Sequence, residues 1–189
     1  KYKSNNSVNL TSAIDVNSKN LDFISSNKVF KSNSYHDIKD KVDAVSIVTP
    51  TVTHFEIAKY FLSNKKHVLL EKPMTETVRQ AQILNDIARK NKCILQIGHL
   101  EQFNPAIKKL KSQLDEPEFI EVHRLCKYNP RATDVDVVLD LMIHDIDIVL
   151  SLVNKKIKKI SVSGKKVITN LVDIANVRIE FEKNIVANL

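Results

Sequence analysis

One segment combines groups suited to acid–base chemistry with a strongly apolar background. A helix over residues 135–153, at about 100° per residue, would carry four polar side chains on one narrow stripe. They are Asp136, Asp140, His144 and Asp147. Most other residues of the segment are apolar, so the helix is expected to be buried, and buried carboxylates are costly unless they are paired or face a cavity. The stripe therefore predicts acid–base groups facing a cleft, with His144 as general base. The alternatives are a solvent-exposed stripe and a metal site of Asp140, His144 and Asp147.

The elements that must position this chemistry begin with an α/β pattern in the first half of the chain. The predicted strands are 8–14, 42–48, 67–70 and 93–97, and the helical segments are 21–24, 34–41, 54–63 and 75–91. Strands that alternate with helices indicate a parallel sheet covered on both faces. The run 42–48 is mostly β-branched, which is typical of a strand buried on both faces.

Polar groups follow four of these strands, where ligands of parallel sheets bind. They are Asp15, the run Thr49, Pro50 and Thr51, the triplet Glu71, Lys72 and Pro73, and the pair Gly98 and His99. A lysine at such a position can polarise a substrate oxygen, and an aspartate can bind ribose hydroxyls. His54, near a predicted helix start, can contact phosphate. Each residue taken alone also fits an ordinary turn or surface position.

The second half of the chain has a different character. Its predicted elements are helices 105–114 and 135–153 and strands 118–126, 157–162, 172–181 and 185–189. The last three strands lack helical crossovers, which indicates antiparallel pairing. We therefore predict a first domain over 1–101 and a second, α+β domain over 102–189.

Composition restricts the class of protein. The chain has 189 residues and a net charge of +7, with 43% hydrophobic and 27% charged residues, which is typical of a globular protein. Its lysines are scattered and lack a nucleic-acid-binding motif, so attraction of an anionic small molecule is favoured over nucleic acid. No apolar run reaches the roughly 18 residues of a membrane span. Cys93 and Cys126 lack metal-ligand spacing, which indicates reduced thiols and a cytoplasmic protein.

Several motifs together resemble the glucose-fructose oxidoreductase/inositol dehydrogenase (Gfo/Idh/MocA) family. The motifs are residues 42–51 with His54, 67–73 ending in Glu-Lys-Pro, 98–105, and 140–147 with Asp-x-x-x-His. The resemblance implies a Rossmann-type domain and a dehydrogenase that moves hydride between a sugar alcohol and NAD, with NADP as the other candidate cofactor. The motifs look most like members that act on nucleotide sugars such as UDP-N-acetylglucosamine. A homo-oligomer formed through the second-domain sheet is expected.

The same resemblance implies roles for individual residues. Lys72, His144 and Asp140 would be catalytic, and the Lys72–Pro73 bond would be cis. The residues that would bind the cofactor are Asp15, Thr49, Pro50, Thr51, His54, Glu71, Lys72 and Pro73. The residues that would bind substrate are His99, Phe103, Asn104, Arg131 and Asp147. Arg124 could meet a diphosphate. Asp15 favours NAD, because a carboxylate repels a 2′-phosphate.

The sequence also departs from the family pattern. The family begins with a strand and a glycine-rich turn, whereas this chain has only Gly98 and Gly164. We therefore expect a sheet that lacks its central first strand. Gln102 stands where relatives often have Arg, and Asp136 where they often have Gly. The remaining alternatives are a non-catalytic binding or assembly protein and a metal-dependent hydrolase or lyase.

Overall fold

The computed structural model describes residues 2, 5–127 and 135–189, which form two compact units. The first unit comprises Lys1–Leu70 and Met74–Gln96, and the second comprises Glu71–Pro73 and Ile97–Leu189. The Glu-Lys-Pro triplet and residues 97–101, which the sequence pattern assigns to the first domain, thus pack with the second unit.

The first unit contains short parallel strands and two long helices. Its strands are β1 (Ser12–Ile14), β2 (Phe30–Ser32), β3 (Ala44–Ile47), β4 (His67–Leu70) and β5 (Leu95–Ile97), whose last residue belongs to the second unit. Its helices are α1 (Thr51–Ser63) and α2 (Val78–Lys90), with 3₁₀ turns at Ser18–Leu21 and Tyr35–Lys41. From β3 to β5 the order of elements matches the predicted alternation, but β2 was not predicted, and most strands are shorter than the sequence pattern suggested.

The strands of this unit form two sheets. β1 pairs with β2, and β3, β4 and β5 form a separate sheet in that order. Both described pairings, β1 with β2 and β3 with β4, are parallel, as predicted. No strand in the described part of the chain joins β1 to β3, so the two sheets stay separate.

The prediction that the sheet is covered on both faces is wrong for the described residues. In the β3–β4 register, Ala44 lies opposite His67 and Ser46 opposite Leu69, and all four side chains are exposed. The other face carries Ile47 opposite Leu70, and both are buried. Helix α1 packs against β3 and β4 and against α2, so one face of the sheet is covered.

Local sequence sets the two helix starts. α2 begins at Val78, three residues after the predicted start, because Thr77 caps it in a capping box with Gln80. α1 begins at Thr51, three residues before the predicted start, because Pro50 rather than Thr53 occupies the N-cap position. The Thr53 hydroxyl instead donates to the Pro50 carbonyl at 2.7 Å.

The second unit is an α+β arrangement with a mixed sheet. Its helices are α3 (Pro105–Gln113) and α4 (Ile143–Leu152), with 3₁₀ turns at Leu100–Phe103 and Glu182–Asn184 and a π-helical turn at Val138–Met142. Its strands are β6 (Phe119–Glu121), β7 (Ile157–Lys165), β8 (Ile174–Phe181) and β9 (Val186–Asn188). The sheet order is β6-β9-β8-β7. β8 is antiparallel to both neighbours, as predicted, but β6 pairs with β9 in parallel.

The core of the second unit lies between α4 and the sheet. It is built from buried apolar side chains of these elements: Met142, Val149, Val153, Val177, Ile179, Phe181, Ile185, Ala187 and Leu189. Burying a side chain of this size contributes about 1.5–3 kcal/mol, so this cluster holds α4 against the sheet. The predicted fold class, a parallel α/β domain followed by an α+β domain with a largely antiparallel sheet, is confirmed.

Two further features bear on the class of protein. Among the residues that the structure describes, no helix has the length and apolar character of a membrane span. Cys93 is half-buried, Cys126 is exposed, and both are free thiols.

Candidate active site

Lys72 is held by two oxygens of one residue on the predicted catalytic helix. Its Nζ donates to the backbone carbonyl of Asp140 at 2.7 Å and to the Asp140 Oδ1 at 2.9 Å. Both side chains are half-buried, so this ion pair is partly shielded from water. The Lys72–Pro73 peptide bond is cis, as the resemblance implied, and Pro73 is buried. The Glu-Lys-Pro turn thus places an ammonium group beside the helix that carries His144.

A π-helical turn carries Asp140. The Ile143 N–H donates to the Val138 carbonyl, five residues back, instead of four as in an α-helix. One extra residue in the turn rotates the residues before it relative to those after it. Asp136 lies before the first helical residues, so it is not part of the predicted helical stripe. Its Oδ1 instead accepts from the N–H groups of Val138 and Leu139, as a helix cap does.

His144 is half-buried, and its environment favours the neutral imidazole. Burial lowers the pKa of His144, and the positive charges of Lys72 and Arg124 lower it further, while Glu101 opposes them and His99 adds to the lowering. The His144 Nδ1 is buried and makes no hydrogen bond to any described residue. A ring with a lowered pKa is neutral near pH 7 and can act as a base.

His99 and Gly98 lie next to the Glu-Lys-Pro turn. The His99 Nδ1 is also buried without a hydrogen-bond partner among the described residues. A Cβ on Gly98 would lie 3.1 Å from the Glu71 Oε2, so a larger residue would displace that carboxylate. The same oxygen accepts from the Lys72 N–H at 3.3 Å. Gly98 thus leaves room for Glu71 to bend back over its own turn.

Asp147 and Gln102 form a second link to helix α4. The Gln102 Nε2 donates to the Asp147 carbonyl at 3.2 Å and to its carboxylate, and Lys111 donates to the Gln102 Oε1. The Asn104 Oδ1 caps helix α3 by accepting from the Ala106 N–H at 3.0 Å. The predicted substrate residues Asn104 and Asp147 therefore also have structural partners within this unit.

Of the predicted substrate residues Phe103 and Arg131, the structure describes only Phe103. The side chain of Phe103 is 63% exposed and therefore accessible to a ligand. Arg131 lies outside the described residues.

Arg124 has a role that the sequence did not reveal. Its Nε and Nη2 donate to the two carboxylate oxygens of Asp145, each at 2.7 Å, and Asp145 is buried. The expectation that Arg124 meets a diphosphate is thus replaced by a paired guanidinium, because a buried carboxylate requires a cationic partner. Asp145 was missed because it stands off the polar stripe. Its position in an apolar helix was the signal that it would need such a partner.

In the first unit, Asp15 directly follows β1. Its Oδ1 accepts from the Asn17 N–H at 2.8 Å and its Oδ2 from the Asn20 side chain at 3.1 Å. These two contacts leave further acceptor capacity on the carboxylate, which suits the hydroxyls of a ribose.

The turn between β3 and α1 holds the other predicted cofactor residues of this unit. Thr49 and Pro50 are exposed, whereas Thr51 is buried. His54 is 1% exposed, and its Nε2 lies 2.8 Å from the Thr49 carbonyl. The expectation that His54 contacts cofactor directly is therefore not supported by its placement, because its ring belongs to the core under the turn.

The metal-site alternative finds no cluster to support it. Within residues 2, 5–127 and 135–189, no group of three or more His, Cys, Asp or Glu side chains is arranged to hold a metal ion. The Asp140 carboxylate is paired with Lys72, and the Asp147 carboxylate accepts from Gln102.

Comparison with known proteins adds independent information. Residues 2–99 match a protein family described as "Oxidoreductase family, NAD-binding Rossmann fold". UDP-N-acetylglucosamine 3-dehydrogenase of Acidithiobacillus ferrooxidans is 38% identical over 150 residues, which make up 79% of this chain and 48% of that protein. A solved structure of that enzyme matches with a TM-score of 0.87 and 33% identity, over 95% of this chain and 60% of the other.

A more distant relative is scyllo-inositol 2-dehydrogenase (NAD(+)) of Bacillus subtilis. It is 27% identical over 146 residues, which make up 72% of this chain and 43% of that protein. The chain spans about half the length of the curated relatives that it matches.

The site makes a prediction about proton binding at His144. In an NMR titration of the full-length protein, His144 should titrate below its ordinary pKa, and Lys72→Met should raise that pKa by removing a nearby positive charge. Lys159→Met, at an exposed position of β7, is the control and should leave it unchanged.

The same lowered pKa has a consequence for stability. In the unfolded chain the His144 imidazole is protonated below a pH of about 6.5, whereas in the folded protein its lowered pKa delays protonation to a lower pH. The unfolded state therefore binds more protons, and the free energy of unfolding should decrease as the pH falls below that value. A His144 pKa at or above its ordinary value would contradict this account of the site.

Proposed function

This chain belongs to the Gfo/Idh/MocA oxidoreductase family, and on that premise we propose that it acts as an NAD-dependent dehydrogenase of a sugar or nucleotide-sugar secondary alcohol. The observation that carries the proposal is the contact of Lys72 with Asp140, one helical turn before a half-buried His144 whose pKa is lowered. The Lys72 ammonium group and the neutral His144 imidazole are therefore within electrostatic range of each other. A base that takes the hydroxyl proton and a cation that stabilises the developing negative oxygen both promote alcohol oxidation.

Each side chain has a defined part in the proposed reaction. His144 removes the hydroxyl proton as hydride leaves the carbon, and the Lys72 ammonium stabilises the negative charge that develops on the oxygen. Asp140 orients Lys72 through its carbonyl and carboxylate. A nicotinamide cofactor, when bound, would supply the hydride acceptor, and the protein would contribute positioning and electrostatics.

The residues proposed to hold the cofactor fit a dinucleotide. Asp15 offers carboxylate oxygens at the carboxyl end of β1, where Rossmann-type proteins bind ribose. Thr49 and Pro50 are exposed immediately before the N-terminus of helix α1, which suits an anionic group. Glu71, Lys72 and Pro73 complete the proposed cofactor set. NAD is favoured over NADP, since a carboxylate at position 15 repels a 2′-phosphate.

For the substrate, we propose UDP-N-acetylglucosamine oxidised at its 3-hydroxyl. The support is the identity of 38% to the UDP-N-acetylglucosamine 3-dehydrogenase of Acidithiobacillus ferrooxidans. The proposed substrate residues are His99, Phe103, Asn104, Arg131 and Asp147. The exposed ring of Phe103 is accessible to a sugar. The free thiols favour the cytoplasm, which cell fractionation can check.

We also propose that the protein forms a homo-oligomer through the sheet of the second unit. β7 is an edge strand, and all nine of its residues are exposed. Ile160 and Val162 lie opposite the buried Ile179 and Val177, so they extend the apolar face of the sheet beyond the part that is buried. An apolar edge strand is a favourable surface for self-association.

Replacing His144 tests the proposed reaction. His144→Ala should lower kcat for the oxidation of UDP-N-acetylglucosamine by NAD by roughly 10²–10⁴, because general-base catalysis is worth about that much. The affinity for NAD, measured by calorimetry on the full-length protein, should be nearly unchanged. His123→Ala, at an exposed position in the same unit, is the matched control.

The outcomes of this assay separate the alternatives. Activity on another sugar alcohol would correct the substrate, while an unaltered kcat in His144→Ala would remove His144 from the mechanism. A full-length protein that binds no dinucleotide would favour a non-catalytic binding role.

Asp15 should determine cofactor choice. Asp15→Ser removes the charge that repels a 2′-phosphate, so the preference for NADH over NADPH should shrink, as measured by the two Kd values. Asp22→Ser, an exposed acidic position nearby in the chain, is the control. A wild-type protein that binds NADPH more tightly than NADH would contradict the assignment.

The proposed interface can be tested on one strand. Val162→Lys should shift the full-length protein toward a smaller species in light scattering coupled to size-exclusion chromatography, because it places a charge in the apolar row. Ser161→Lys points to the opposite face of β7 and should have a weaker effect. A wild-type protein that is monomeric at micromolar concentration would refute the interface.

A further inference from the structure

Asp145 is a buried carboxylate that the proposed reaction does not use. Its side chain is 4% exposed, and it stands directly after His144 in helix α4. Both of its oxygens accept from Arg124, at 2.7 Å each, in a two-pronged contact. Such planar pairing fixes orientation as well as distance. An isolated carboxylate at this depth would be strongly unfavourable, so helix α4 depends on Arg124 to bury this turn.

The pair connects two separate segments of the second unit. Arg124 lies in the extended segment that follows β6, whereas Asp145 lies in the first turn of α4. Replacing such a pair by apolar side chains is often neutral for stability, so stability alone gives no reason for burying charge at this position. The arrangement does place a guanidinium within electrostatic range of the His144 imidazole.

The charged groups around His144 come from four parts of the chain. Lys72 and Arg124 act on it as positive charges, His99 acts in the same direction, and Glu101 acts in the opposite direction. On its own helical segment, the nearest carboxylates are Asp140 and Asp145. Each of these is paired, with Lys72 and Arg124 respectively. Burial is the largest cause of the lowered pKa of His144, and the two paired cations, Lys72 and Arg124, add to it. Of their two ion pairs, only Lys72–Asp140 belongs to the proposed catalytic set.

We propose that Arg124 and Asp145 are positioning residues for His144: their two-pronged ion pair fixes the first turn of α4, which carries the imidazole, and holds the guanidinium within electrostatic range of the ring. The proposal rests on the role of His144 proposed above. The guanidinium disfavours a second positive charge nearby, and Asp145 limits that effect by partly neutralising it. Removing Arg124 and removing Asp145 should therefore shift the pKa of His144 in opposite directions, which a simple loss of packing would not do.

The test is an NMR titration of the His144 ring in the full-length protein, with the signal assigned by its loss in His144→Gln. Arg124→Gln should raise the pKa of His144, because it removes a positive charge and leaves a carboxylate behind. Asp145→Asn should lower it, because the guanidinium is no longer neutralised. The double variant should lie between the two. Arg178→Gln, which removes the exposed partner of Glu180 on β8, is the matched control and should cause no shift.

Shifts in the same direction, or no shift in either variant, would overturn the proposal. If Arg124→Gln fails to fold, Arg124→Lys and Asp145→Asn carry the test. The lysine retains the charge without the two-pronged geometry, so the pKa of His144 should stay near its wild-type value while kcat falls and KM changes little. The proposal still requires that Asp145→Asn lower the pKa of His144.

The titration needs no substrate, so it separates this inference from the proposed function. If the two variants shift the His144 pKa in opposite directions and the acidic limb of the pH profile of kcat shifts with it, both the inference and the proposed function are supported. Opposite shifts without any dehydrogenase activity would retain the electrostatic pairing and refute the reaction.

Discussion

The contact between Lys72 and Asp140 is the constraint on which the rest of the candidate site depends. A partly exposed ion pair contributes at most about 1 kcal/mol to stability, so its importance is geometric. The ammonium is held by a backbone carbonyl as well as a carboxylate, and this fixes it relative to the helix axis. The buried cluster around Val149 and Phe181 then keeps that helix against its sheet. Packing supplies the stability, and the polar contact supplies the alignment.

The same helix shows how an apolar core accommodates charge. Each of its buried or half-buried carboxylates has a partner: Asp140 has Lys72, Asp145 has Arg124, and Asp147 has Gln102. His144 differs, because its Nδ1 lacks a hydrogen-bond partner among the described residues. Burial lowers the pKa of His144, and the positive charges of Lys72 and Arg124 lower it further, so the neutral imidazole is favoured.

Sequence reasoning succeeded where a signal is local. The alternation of β3, α1, β4, α2 and β5 and the antiparallel pairing of β7 and β8 follow from short patterns of propensity and polarity. The family resemblance rests on similarly local motifs and is confirmed. Reasoning failed where the outcome depends on distant residues. Helical periodicity assumes a regular α-helix from residue 135 onward, so it foresaw neither the π-helical turn at Val138–Met142 nor the capping contacts of Asp136.

The sequence by itself therefore determined most of the elements and their order, with β2 as an exception, and the small set of residues able to perform acid–base chemistry. Only the tertiary structure decided which of them meet. Lys72 and Asp140 are 68 positions apart, and Arg124 and Asp145 are 21 apart. Spacing along the chain carries no information about contacts of that separation. They arise when helix α4 packs on its sheet, because burial then obliges each charged group to find a partner.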